Sequence, residues 1–69
     1  QLSKVKTGKE GLVGEIGTAR TDILESGKVF LHGELWNAKS EEFIKEGEKV
    51  MVILEEGLML KVKKKEDGL

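Results

Sequence analysis

The stretch VFLHGELWNA, Val29 to Ala38, constrains this chain more than any other. Before His32-Gly33 the inward-looking apolar residues are odd-numbered, Val29 and Leu31; after it they are even, Trp36 and Ala38. A two-residue turn does this to residue numbering. A type I′ turn needs positive φ at both central residues, which favours Asn, Asp or Gly, and histidine is enriched there among other residues. With the turn at His32-Gly33, Leu31 pairs with Glu34, Phe30 with Leu35 and Val29 with Trp36. Directly opposed residues share a face. Val29, Leu31, Glu34, Trp36 and Ala38 therefore line one face, and Lys28, Phe30, Leu35, Asn37 and Lys39 the other.

The rest of the chain is short β-rich runs punctuated by glycine, with no sustained 3.6-residue period. LVGEIGTAR (12–20) reads as a first strand whose interior glycines mark a bend or a close backbone approach; the pattern leaves its inward face open. TDILESG (21–27) reads as a loop with Ile23 or Leu24 tucked beneath it. KVMVILEEGLMLKVK alternates twice. A three-residue turn at Glu55-Glu56-Gly57 would pair Leu54 with Leu58, Val52 with Leu60 and Val50 with Val62. Between the hairpins lies SEEFIKEG, where Ser40 could cap one helical turn and Gly47 end it. Phe43 or Ile44 would plug one end of the domain. The expected strands are 12–21, 28–32, 34–39, 48–55 and 58–64, with at most one short helical turn between the third and fourth. This order fits an all-β, five-stranded Greek-key barrel of the OB type, with an SH3-like barrel as runner-up. Residues 1–10 read as a flexible linker, 11–64 as the barrel and 65–69 as a flexible tail.

Composition narrows the function. With 69 residues there is room for one small domain, burying only about 60% of its unfolded surface. No cysteine and a single histidine leave no disulfide and none of the usual zinc sets. Twelve basic against 13 acidic residues argue against general nucleic-acid binding, which usually carries a basic excess. Abundant Lys and Glu with single Asn and Gln residues fit a heat-adapted protein. No apolar run is long enough to span a bilayer and no signal peptide is visible. A first residue of Gln instead of Met points to a fragment or processed product.

The segments GLVGEIGTA (11–19), GKVFLHGELWNAKS (27–40), Ile44 and Gly47 with VMV (50–52), and GLMLKV (57–62) together resemble the C-terminal soluble domain of NfeD-like membrane proteins. The string G-E-x-W-x-A-x-S at Gly33 to Ser40 is the most specific part; ILESG (23–27) departs from relatives that carry proline before the glycine. The resemblance implies an OB-fold domain that follows transmembrane helices in its parent and has stomatin- or flotillin-like membrane proteins as partners. The domain itself is expected to be soluble and cytoplasmic, although the sequence carries no residue that fixes the side of the membrane. Longer relatives carry a serine-protease domain ahead of those helices, which nothing in this sequence matches.

The chemistry-bearing residues point away from catalysis. Ser3, Ser26, Ser40, His32, Asp22 and Asp67 are the candidates for a Ser-His-Asp set, but they are scattered, and His32 is explained by its turn. Glu41-Glu42 and Glu55-Glu56 lack the spacing of a calcium loop and read as solvated charge. No cofactor or metal is expected. Trp36, inward by parity, reads as core. KVKKKE (61–66) is a basic cluster that could lean on anionic headgroups, although such a run is more often a solvated strand end. That leaves the outer face of the second and third strands, with Phe30 opposite Leu35 and Lys28, Asn37 and Lys39 around them. OB folds bind ligands over these strands. The first reading is a protein-docking surface, the second ordinary cross-strand packing, and the third a single-stranded nucleic-acid site with Phe30 as a stacking platform.

Overall fold

A computed structural model describes residues 11–65. The expected linker (1–10) and the tail beyond Lys65 lie outside the described residues. Five strands form a closed barrel in the order β1-β2-β3-β5-β4: β1 (Ile16–Ala19), β2 (Gly27–Leu31), β3 (Glu34–Ser40), β4 (Lys49–Glu56) and β5 (Met59–Lys64). All neighbours are antiparallel except β3 and β5. This is a small OB-type barrel. Closure pairs every strand on both sides and removes the exposed edges of an open sheet.

The β2–β3 hairpin has the register the parity switch requires: Leu31 faces Glu34, Phe30 faces Leu35 and Val29 faces Trp36. His32 and Gly33 take φ of 54° and 80°, the two positive values of a type I′ turn. Val29, Leu31 and Ala38 are buried in the barrel. Trp36 packs against the core half-buried, and its Nε1–H donates to the Leu31 carbonyl at 3.3 Å.

The β4–β5 hairpin differs from the expected one. Its turn is Gly57-Leu58, between paired Glu56 and Met59, and a bulge at Ile53 adds one residue to β4. Gly57, with φ 60°, suits the first central position of a type II′ turn. Below the bulge Val52 faces Val62 and Val50 faces Lys64; above it Leu54 faces Lys61 and Glu55 faces Leu60. Val50, Val52, Leu60 and Val62 are buried as the alternation requires. Leu54 and Leu58, expected inside, are 42% and 78% exposed, and Glu55 takes the inward position opposite buried Leu60.

The first strand is shorter than expected. Residues 12–15 form a turn closed by the Glu15 N–H on the Leu12 carbonyl, and hydrogen bonds between this segment and Val52 tie it to β4. Gly17 and Ala19 face inward. A Cβ on Gly17 would sit 2.7 Å from the Phe30 carbonyl oxygen and 2.8 Å from Val29 Cγ1, so here the glycine serves close approach of β1 to β2.

No helical turn forms between β3 and β4. Ser40 ends β3, and its Oγ accepts the Glu42 N–H at 3.1 Å, which holds a local turn. Ile44 is the plug: it forms an isolated bridge with Ile23, and both are fully buried. Their neighbours Leu24 and Phe43 are exposed.

Candidate functional site

The outer face of β1, β2 and β3 is a lattice of neighbouring side chains. Thr18 on β1 faces Phe30, which faces Leu35. One row along, the Arg20 N–H donates to the Lys28 carbonyl, and Lys28 faces Asn37. Asn37 in turn lies beside Met59 on β5. Four of the five residues expected on the docking surface, Lys28, Phe30, Leu35 and Asn37, are thus contiguous. Leu35 is 58% exposed, large for an aliphatic side chain in a strand, and Phe30 is half-buried. The Lys28 Nζ donates to Asn37 Oδ1. The fifth residue, Lys39, belongs to a different neighbourhood: it lies beside Lys61 on β5 and pairs with Glu56 at 3.2 Å.

The alternation of β2 and β3 contains no sign of a sixth participant. The Arg20 guanidinium carbon lies 4.3 Å from the centroid of the Phe30 ring, a cation–π contact. Finding it requires the β1–β2 register, which the two glycines of the first run leave undetermined.

Two shallow depressions, of about 290 and 320 Å³, open on the far side of β3 around Ser40, Glu41 and Lys61. Lys61 Nζ donates to Glu41 Oε2 at 2.7 Å. That hydrogen bond, reinforced by the opposite charges, holds the Glu41 carboxyl below its ordinary range and raises Lys61 reciprocally. The arrangement is an exposed ion pair.

The residues considered for catalysis do not meet. His32 sits on the β2–β3 turn with Nε2 3.1 Å from Glu15 Oε1. Ser26 and Ser40 lie at the other ends of β2 and β3, roughly 20 Å away along a seven-residue strand. Asp22 Oδ1 accepts the Glu46 N–H. Ser3 and Asp67 lie outside the described residues. Among the described residues no group of three or more His, Cys, Asp or Glu is placed to hold a metal ion, and no helix is long and apolar enough to cross a membrane.

Residues 9–64 match the NfeD-like C-terminal, partner-binding domain. Two archaeal sequences are similar over nearly the whole chain. An uncharacterized protein of Methanocaldococcus jannaschii is 42% identical over 91% of it, and a membrane-bound protease of Pyrococcus horikoshii is 42% identical over 94%. The chain spans 47% and 16% of their respective lengths. Their archaeal origin fits the heat-adapted composition. Among solved structures, the C-terminal domain of a stomatin operon partner protein from Pyrococcus horikoshii superposes with a TM-score of 0.82 at 39% identity, covering 90% of this chain and all of that one. The soluble domain of a Corynebacterium glutamicum membrane protein implicated in regulation of membrane protease activity gives 0.73 at 37%, covering 77% and 90%.

Proposed function

The chain belongs to the NfeD-like family as its C-terminal, partner-binding domain, and from that premise we propose that it is a non-catalytic docking module of a membrane-anchored protein, recruiting a stomatin- or flotillin-like membrane protein through the outer face of β2 and β3. Exposed Leu35 directly opposite Phe30 is the observation that carries the choice of face. An apolar centre with Lys28 and Asn37 at its margin has the anatomy of a small protein interface. Lys39, paired with Glu56 and beside Lys61 on β5, stands apart from that contact. The stomatin class of partner draws its support from the related structure described as a stomatin operon partner.

The proposed parent carries transmembrane helices ahead of the domain. Lys4, Lys6 and Lys9 against Glu10 in the first ten residues then favour the cytoplasmic side, where basic residues flanking membrane helices accumulate. The competing reading, single-stranded nucleic-acid binding, needs an aromatic face available for a base; the Phe30 ring already carries Arg20.

Co-purification of the full-length membrane protein with a stomatin-type protein in detergent tests the proposal. Leu35→Ala and Phe30→Ala should each reduce capture while the barrel stays folded, since an anchoring residue typically contributes about 2 kcal/mol or more. Normal capture by both variants removes this face as the docking surface.

A further inference from the structure

We propose that the β1–β2–β3 face takes an acidic, amphipathic segment of the partner protein, with one carboxylate seated on the Arg20 guanidinium and an apolar side chain beside Leu35. The inference rests on the docking face argued above and adds the chemistry of its occupant. Thr18, Phe30 and Leu35 form one row across three adjacent strands, with Lys49 of β4 beyond Thr18 around the curve of the barrel. At the usual strand spacing that row is roughly 10 Å long, within the reach of a short extended peptide.

The charges along it have one sign. Arg20, Lys28 and Lys49 have no carboxylate within ion-pair distance among the described residues. Lys28 and Lys49 spend a proton each on neutral oxygens, Asn37 Oδ1 and Thr18 Oγ1, which orients the ammonium groups without neutralising them. On the β3–β5 side Lys39 and Lys61 each have a glutamate, while Lys63 and Lys64 at the far end of β5 have none among the described residues. With 12 basic and 13 acidic residues in the chain, three like charges around this row are no consequence of a basic protein.

Arg20 supplies the specificity. The Arg20 guanidinium rests over the Phe30 ring with its central carbon 4.3 Å from the centroid, and its N–H donors lie in the guanidinium plane as a fork. Arg20 donates no side-chain hydrogen bond among the described residues. A carboxylate matches that fork with two parallel hydrogen bonds. The aromatic support fixes the orientation beforehand, so less side-chain freedom is lost on binding.

The test uses amide shifts of the whole chain during titration with a capped heptapeptide of alternating Glu and Leu. Its Lys-Leu counterpart and a short oligothymidylate serve as competing probes. Saturating shifts at Thr18, Arg20, Phe30, Leu35 and Asn37 are expected for the Glu-Leu peptide alone. Arg20→Glu should weaken binding by about tenfold or more. Arg20→Lys, which keeps the charge and loses the fork, should also weaken it, by about severalfold, with an unchanged unfolding midpoint. Shifts elsewhere, equal binding of the Lys-Leu peptide, tighter binding of oligothymidylate, or a normal Arg20→Lys variant overturns the proposal. Partner capture separates the two readings. If Leu35→Ala abolishes it and Arg20→Glu does not, the face stands and the acidic occupant falls. If neither variant matters, the face itself is wrong.

Discussion

Ile23 and Ile44 come from two different loops, and each donates its backbone N–H to the other's carbonyl, at 2.8 and 2.9 Å. Both side chains are fully buried. This one bridge closes the end of the barrel that neither hairpin turn covers, and it satisfies backbone groups that burial would otherwise leave unpaired. Ile44→Ala should therefore behave as a core deletion despite lying in a loop, costing about 2–5 kcal/mol. Chemical denaturation checks this; a loss below about 0.5 kcal/mol, the range of surface changes, would show that the plug is dispensable.

The bridge also shows what sequence reasoning reaches. Either Ile23 or Leu24, and either Phe43 or Ile44, had to turn inward, but the loops lack the two-residue period that decides such questions in strands. The β2–β3 hairpin was fully legible because the turn chemistry at His32-Gly33 and the alternation on both sides agree. In β4–β5 they conflict. A two-residue turn at Gly57-Leu58 alone would pair even with odd positions, and the bulge at Ile53 restores even-to-even pairing lower down. The alternation of Val50, Val52, Leu60 and Val62 is the same under either arrangement, so the sequence could not separate a bulge plus a short turn from a three-residue turn. The Phe30–Leu35 pair was readable for the same reason as its hairpin. Arg20 was not, because its place over Phe30 depends on the pairing of a strand with two interior glycines.

The bulge leaves a mark in Glu55. It faces Leu60 on the inner side of the hairpin, and its Oε1 is buried without a hydrogen-bond partner among the described residues. An unsatisfied buried acceptor costs about 1–3 kcal/mol. Glu55→Leu should accordingly raise the unfolding free energy by about 1 kcal/mol or more. A destabilised variant in a urea titration would mean that the carboxylate supports the β4–β5 register.

The Glu41–Lys61 pair makes a prediction about titration. Glu41 is held low chiefly by the hydrogen bond from Lys61, then by its charge. A depressed carboxyl contributes stability above its unfolded pKa and loses it as the pH falls through the folded value; raised Lys61 contributes below its unfolded pKa and loses it as the pH rises through its own folded value. Both groups are solvent-exposed, so the effect on folding is small and the direct observable is the carboxyl itself. Lys61→Met should return Glu41 to the ordinary carboxylate range in an NMR pH titration, with no loss of thermal stability near neutrality. An unmoved Glu41 would mean that the pair does not persist in solution.

Leu35 and Trp36 are adjacent in β3 and point to opposite faces, and that alternation separates folding from binding most sharply. Trp36 lies against the core with its indole N–H on the Leu31 carbonyl; Leu35 projects from the outside of the barrel. Truncating a fully buried aromatic costs about 3–5 kcal/mol. Half-buried Trp36 should approach the lower end of that range on change to Ala, since the variant also loses the hydrogen bond that ties β3 to the end of β2. Leu35→Ala should stay within about 0.5 kcal/mol of the parent while losing partner capture. Parallel urea unfolding of the two variants is the measurement. Equal destabilisation would place Leu35 within the folding core and take away the basis for reading its face as an interface. A destabilised Trp36→Ala beside an unchanged Leu35→Ala leaves the exposed leucine with no role in holding the barrel together, and binding becomes the property its position serves.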